Sequence, residues 1–322
     1  MKISIAMTSY NGSEYLYEQL TSFLDQDHLP DELIVCDDGS TDNTLEILEE
    51  FSLASPFDVR IFSNNKNLGF TKNFEQAISK CKGDIIFLSD QDDKWFPGKI
   101  SSIINFFEQN TSLSLIIHDA QIVDENLKYH GANTLSQAMS GYGNDGVYIT
   151  GALSALKKDL LDFILPFPDT VNGHDGWIHN VGKLLNKRGV MNLPLGLIRR
   201  HSNNTSGWIA SSVKKINFYD VLKAQIKSID STSQQKYDDR IEINQSLMIV
   251  LEKYKKTNGE KNLIFIDQKQ QYLDREFQAL TRRNNLPSYS FPIKKFKAIE
   301  LLLRGDYSYF NNWKSFIRDM LR

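Results

Sequence analysis

Within the first ninety residues, four short apolar and largely β-branched runs alternate with three stretches of helical spacing, and no other feature narrows the fold as far. The runs are Ile3 to Met7, Leu33 to Cys36, Val59 to Phe62 and Ile85 to Leu88. Between them, Leu16, Leu20, Phe23 and Leu24 lie on one helical face, Leu45, Leu48 and Phe51 mark a second helix, and Phe74, Ala77, Ile78 and Cys81 a third. Asn11 and Glu14 are spaced as a capping pair for the first helix. Strand and helix in alternation require right-handed crossovers and an α/β fold, a mainly parallel sheet with helices on both faces. Ligands on such sheets lie beyond the carboxyl ends of the strands, so the residues just after each run are the ones that can carry chemistry.

Further along, the pattern loosens. A helix after Pro97 carries Ile100, Ile103, Ile104 and Phe107, and Leu115 to His118 reads as a strand. The polar, Gly-rich stretch from Gly131 to Gly146 reads as a mobile loop. Gly173-His174-Asp175-Gly176 opens another helix with Ile178, Val181, Leu184 and Leu185, and Arg199-Arg200-His201-Ser202-Asn203-Asn204 closes the region. After Ser211 the composition turns to long Lys-rich helices without a clear strand. The expected organisation is therefore an α/β domain over 1–212 and a helical C-terminal region over 213–322. Charge divides at the same place: 16 basic against 27 acidic residues up to 212 make a net −11, and 21 against 13 beyond it make +8. An acidic body disfavours polyanions unless a cation intervenes, and a basic tail favours phosphate-rich surfaces.

A chain of 322 residues, 41% hydrophobic and 24% charged, buries a sizeable core, which excludes disordered, fibrous and small cross-linked scaffolds. Its two cysteines, Cys36 and Cys81, sit in apolar stretches without metal-ligand spacing and point to a reducing cytosol. The N-terminus reaches Ser9, Tyr10 and Asn11 before a signal-peptide core can form. No run approaches the ~18 apolar residues that span a bilayer, so the expected location is cytoplasmic, with any contact at the inner face of the plasma membrane peripheral.

The strand ends are acidic in a concentrated way. In Asp90-Gln91-Asp92-Asp93, three carboxylates within four residues repel one another unless solvent or a cation relieves them. Mn²⁺ or Mg²⁺ suits such oxygen ligands and brings a substrate diphosphate with it, whereas the bland reading is a solvated turn. In Asp37-Asp38-Gly39-Ser40-Thr41-Asp42, Gly39 supplies a positive φ and Ser40 or Asp42 a helix cap. Asp37 and Asp38 are left over, and either can accept a pyrimidine imide N–H or a ribose hydroxyl. Asp175, at a helix start, reads as a cap on backbone N–H groups or as a base. A lone His201 is either a second metal or phosphate ligand or a satisfied structural residue. Trp95 and Trp177 read as packing residues rather than sugar platforms.

Taken jointly, Met7-Thr8-Ser9-Tyr10-Asn11, Val35-Cys36-Asp37-Asp38-Gly39-Ser40-Thr41-Asp42, Asn67-Leu68-Gly69 with Asn73, and Leu88-Ser89-Asp90-Gln91-Asp92-Asp93 resemble, in order and spacing, the successive motifs of the nucleotide-sugar glycosyltransferases of family 2 with the GT-A fold. The DQDD form, the Pro-bearing helix start after it, and the Gly-His-Asp-Gly-Trp and Arg-Arg-His-Ser-Asn-Asn segments are similar to bacterial rhamnosyltransferases of O-antigen and capsule synthesis. The resemblance covers about residues 1–208. It implies that Thr8 and Tyr10 flank the base, that Asp37 or Asp38 contacts base or ribose, that Asp90 touches the ribose, that Asp92 is the metal ligand, and that Asp175 is the catalytic base; the expected metal set is Asp92 and Asp90 with His201. Its partners would be a UDP- or dTDP-type sugar donor and a saccharide acceptor, lipid-linked in such pathways, with inversion at the sugar. The wider family usually carries Glu-Asp at the base, where this chain has His174-Asp175, and Lys72 is the one basic residue offered near the base pocket.

Two rivals compete with this reading. A metal-dependent sugar-phosphate nucleotidyltransferase would use a similar sheet, but it needs a Gly-rich basic loop after the first strand, and Ser9 to Glu14 holds one Gly and no Lys or Arg. A non-catalytic scaffold would have no use for both the acidic cluster and Asp175. The basic tail reads either as solvated helix faces at Lys214–Lys215, Lys253–Lys256 and Arg282–Arg283, or as an interfacial or dimer-forming helix, since Ile293, Phe296, Ile299 and Leu303 form one stripe beside lysines. Aromatic and basic residues are not interleaved as a stacking groove requires, which argues against nucleic acid.

Overall fold

A computed structural model describes residues 1–139, 150–202, 204, 212–215, 220, 235–258, 263–310 and 312–321. Four strands, β1 (Ile3–Ser9), β2 (Glu32–Asp37), β3 (Asp58–Ser63) and β4 (Ile85–Ser89), lie parallel in the order β3-β2-β1-β4. The crossovers are α1 (Leu16–Leu24), α2 (Thr44–Ala54) and α3 (Phe70–Lys80). Every residue of β1, β2 and β4 is buried, which explains why these strands read as continuous apolar runs rather than alternating ones. Ile3, Ile5, Met7, Leu33, Val35 and Phe87 pack with Leu16, Leu20, Phe23 and Leu48 in one core.

The second half extends the sheet with β5 (Lys94–Trp95), β6 (Leu115–Asp124), β7 (Tyr129–Asn133), β8 (Ser154–Lys157) and β9 (Arg188–Arg200), and adds α4 (Lys99–Gln109), α5 (Thr134–Met139), α6 (Leu161–Ile164) and α7 (His174–Leu184). The order continues β4-β8-β6-β9-β5, with β7 paired to β6. Here β8 runs antiparallel to both neighbours and β9 parallel to β6, so the sheet is mixed on this side and mainly parallel on the other. This is the expected α/β class.

Three local expectations change. The Asn11/Glu14 capping pair does not form: Asn11 sits at φ +46° and its side-chain oxygen accepts the Thr41 N–H at 2.8 Å, while the Gly12 carbonyl takes the N–H groups that open α1. The expected loop over Gly131–Gly146 holds the end of β7 and α5 instead, because buried Asp119 receives Thr134 Oγ, Leu135 N–H and Asn133 Nδ2 at 2.8 to 2.9 Å. Residues 140–149 of that stretch lie outside the described residues. Finally, β9 is a 13-residue strand where no strand was expected. It carries Pro194, which has no N–H to give, and its register against β6 shifts there, at Asp119.

The chain divides into two compact units, Met1–Phe167 with Asn172–Leu222, and Lys223–Arg322 with Pro168–Val171. In the second, α8 (Gln235–Asn258) and α9 (Leu263–Asn284) run antiparallel, tied by Asn284 to Asp238 at 2.8 Å and by Asn244 to Glu276 at 3.2 Å. Helices α10 (Phe291–Leu303) and α11 (Asn312–Leu321) close on Leu286, Leu301 and Tyr307. Arg282 and Arg283, expected on a solvated face, are engaged: Arg282 pairs with Asp306, and buried Arg283 pairs with Asp319 at 2.8 Å beneath the rings of Tyr307 and Phe310. Because Asp319→Ala strands a buried guanidinium, it should cost this unit about 3–5 kcal/mol, read as a lowered denaturation midpoint. Among the described residues no helix is long and apolar enough to cross a membrane.

Candidate active site

The carboxyl ends of β1, β2 and β4 meet at one sheet edge, with Ser9 opposite Asp37 and Met7 opposite Ser89. Gln91 joins two of them, accepting the Tyr10 N–H at 2.8 Å and donating to the Tyr10 carbonyl at 3.1 Å. Gly12 leaves room for that amide, since a Cβ there would lie 2.1 Å from Gln91 Oε1. Thr8 is nearly buried, and the Tyr10 side chain stands 48% exposed at the rim.

Asp37 and Asp38 separate sharply. Asp37 Oδ1 accepts the N–H groups of Gly39 (3.1 Å) and Ser40 (2.8 Å), while Oδ2 accepts the hydroxyls of Ser9 (2.9 Å) and Ser40 (2.5 Å). A carboxylate has about four acceptor positions, and those of Asp37 are taken. Asp38 accepts three bonds, from Asn64 Nδ2, Leu68 N–H and Gly69 N–H at 2.8 to 2.9 Å, and keeps acceptor capacity on Oδ2. The turn contains Gly39 at φ +81°, and Asp42 caps α2 through Thr44, while Ser40 turns back to Asp37.

Asp90, Asp92 and Asp93 place carboxylate oxygens within 4.8 Å of one another. Burial, with the charges of Asp92 and Asp175 adding to it, pushes Asp90 up to about 7. Burial and the same crowding hold Asp93 well above the carboxylate range, although its Oδ1 accepts the Arg199 N–H at 3.1 Å. On Asp92, Oδ2 lies 2.8 Å from His201 Nε2 and accepts Asn204 Nδ2 at 3.2 Å. Arg199 braces the loop by donating to the carbonyls of Asp92 and Glu125 and pairing with Glu18, its guanidinium 4.6 Å over Tyr15. Below lies Lys99, fully buried, its ammonium 3.7 Å over the Trp95 ring and brought down to about 7 by burial against the pull of Asp93 and Asp90. Three mutually repelling carboxylates, two with raised affinity for protons, form an oxygen donor set that fits a hard divalent cation.

Asp175 lies in the first turn of α7, partly exposed, with Oδ1 accepting the Gly176 N–H at 2.7 Å. His174 is turned away: its ring stacks on Phe74 at 3.7 Å, a Gly151 Cβ would fall 2.0 Å from Nε2, and its nitrogens make no hydrogen bond among the described residues. Burial brings His174 down to about 4, so it stays neutral. The unfolded chain therefore takes up this proton first as pH falls, and stability present above pH 6.5 is lost on the way to pH 4. Between those values the wild type should lose about 3 kcal/mol relative to His174→Leu, measured by denaturant melts across pH.

With this geometry in place, the family model described as glycosyl transferase family 2 matches residues 4–174, more than half of the chain. The chain belongs to glycosyltransferase family 2. Among its relatives, the dTDP-rhamnosyl transferase RfbG of Shigella flexneri is 30% identical over 220 residues, 62% of this chain and 73% of that protein. An uncharacterized glycosyltransferase of Nostoc sp. is 27% identical over 228 residues, 67% and 70% of the two chains. In fold, S. aureus TarS 1-349 in complex with UDP superposes with a TM-score of 0.56 at 17% identity, over 95% of this chain and 80% of that one. TarS 1-349 with UDP-GlcNAc gives 0.54 at 19%, over 98% and 90%.

Residues to which the motifs assign no role also stand around the acidic loop of this glycosyltransferase. Gln91 and Arg199 hold the acidic loop by hydrogen bonds, and burial lowers the Arg200 pKa against the pull of Asp93, Asp92 and Asp90. Lys99 had a visible signal: it stands four residues before Ile103 on the buried stripe of α4, an expensive place for a charge without a counterion.

Proposed function

We propose that this glycosyltransferase moves a sugar, rhamnose by its likeness to the Shigella enzyme, from a UDP- or dTDP-type donor to a saccharide acceptor in surface polysaccharide synthesis, with inversion at the sugar carbon. One observation carries the reading: the carboxylates of Asp90, Asp92 and Asp93 converge within 4.8 Å of one another just after β4, and the charge of Asp175 on α7 adds to the burial that raises Asp90. In this reading the cluster serves the leaving-group side and Asp175 the acceptor side. TarS structures holding UDP and UDP-GlcNAc support a nucleotide-sugar donor.

In this reading Asp38, with acceptor capacity left, takes the imide N–H of the base, Thr8 and Tyr10 flank it, and Asp37 shapes the turn. Asp90 receives a ribose hydroxyl. Asp92 and Asp90 would hold a cation with His201 beside them, and Mn²⁺ or Mg²⁺ bound there would offset the charge that develops on the leaving diphosphate. Asp175 accepts the acceptor hydroxyl proton as that oxygen attacks. No second carboxylate is needed as a nucleophile, because a direct displacement inverts the carbon. The helical region over 213–322 serves attachment or assembly rather than chemistry.

A panel of UDP, dTDP and GDP sugars, scored by thermal stabilisation with and without Mn²⁺, tests the donor assignment. The right donor at 100 times its Kd should add about 2.7 kcal/mol. Metal-independent stabilisation, or none by any UDP or dTDP sugar, overturns it. Product NMR reads the anomeric outcome.

A further inference from the structure

Helix α10 is apolar on two sides. Ala298 and Leu301 face inward and are buried, whereas Phe291, Ile293, Phe296, Ile299, Leu302 and Leu303 are exposed. The usual order is inverted, since Phe296 is 74% and Leu303 82% exposed while Lys294, Lys295 and Lys297 of the same helix are only partly so. Helix α11 repeats the arrangement: Trp313, Ile317 and Leu321 recur every fourth residue on its outer side, with Trp313 62% exposed. The two stripes adjoin, because Lys295 Nζ donates to the Met320 carbonyl near the end of α11 and lies 4.7 Å over the Phe291 ring. A contiguous outward face of this composition marks an interaction surface rather than scattered exposure.

Charge selects the partner. Over 291–322 there are seven basic and three acidic residues. Two of the acids are turned inward, Asp306 to Arg282 and Asp319 to Arg283, and Glu300 at the rim is shared by Lys297 and Arg304. A two-fold contact between copies would set this basic rim against itself, because each copy presents the same patch. An anionic lipid surface has the opposite charge and accepts Phe, Leu and Trp at the headgroup boundary. We infer that α10 and α11 form one face that docks this enzyme on an anionic membrane surface, aromatic and leucine side chains entering the boundary and lysines meeting lipid phosphates. This goes beyond the transferase reading and stands independently of which donor is used.

The test is co-sedimentation of the full chain with phosphatidylcholine vesicles, with and without phosphatidylglycerol, at low and high salt. The intact chain should bind the phosphatidylglycerol vesicles, and Trp313 emission should shift to the blue, a shift that Trp313→Phe removes. Pure phosphatidylcholine or high salt should weaken binding about tenfold or more, and Lys294→Gln by roughly fivefold. Phe296→Ser with Leu303→Ser, both at exposed positions and so compatible with folding, should weaken it by about 100-fold. Failure of the intact chain to bind at low salt, or undiminished binding by the double variant, overturns the proposal. So does a dimer that the double variant turns into monomer without any vesicle binding, which would give the face to a second copy. The assay needs no donor, so its failure is distinguishable from failure of the transferase reading.

Discussion

Asp175→Asn should leave donor and cation affinity near wild type while turnover falls by about two to four orders of magnitude. The substitution keeps the side-chain oxygen that accepts the Gly176 N–H at 2.7 Å, and Asn caps a helix about as well as Asp, so α7 retains its start. What it removes is a site for the acceptor proton. The neighbouring His174 cannot stand in, being stacked on Phe74, buried, and held down to about 4. Single-turnover transfer with saturating donor, set beside donor titration, separates chemistry from binding. Near-normal turnover with a slightly lower melting temperature would assign Asp175 to capping alone and move the base elsewhere.

Asp92→Ala should reduce Mn²⁺-dependent affinity for UDP or dTDP by about 100-fold or more, with the fold intact. This carboxylate anchors both His201 and Asn204, so its loss removes one donor group for the cation and one bond from each of two neighbours, which remain bonded to each other. The loop itself should hold, because Arg199 still bonds the backbone carbonyl at 92 and the Asp93 carboxylate. His201→Ala, which leaves all three carboxylates, should cost less. Calorimetric titration of UDP with and without Mn²⁺ reads both variants, and unchanged metal-dependent binding in Asp92→Ala would sink its assignment.

Much of the first ninety residues was legible because the information there is local. Strands buried on both faces must be apolar throughout, helices between them must keep one apolar stripe, and the polar residues at their junctions then lie at one sheet edge whatever the details. The acidic loop and the turn at Gly39 were visible for that reason. Residues 188–200 were not: Arg, Gly, Asn and Pro spoil any strand pattern, and the segment becomes β9 through pairing with β6 and β5, the latter about a hundred residues away. The capping pair at Asn11 and Glu14 failed through the same kind of competition, since a turn thirty residues distant claimed the Asn11 side chain.

The α/β class, the sheet edge lined by acidic residues and the types of those residues follow from local pattern alone, because strand and helix periodicity and turn chemistry act over a few neighbours. Long-range packing sets the rest: Asp37 is consumed while Asp38 keeps an acceptor position, His174 is a buried neutral ring, and Lys99, Arg199 and Arg200 surround the acidic loop. Ser9 for Asp37, Leu68 and Gly69 for Asp38, and Phe74 for His174 are supplied by chain segments far away in sequence, and such partners exist only once the sheet has formed.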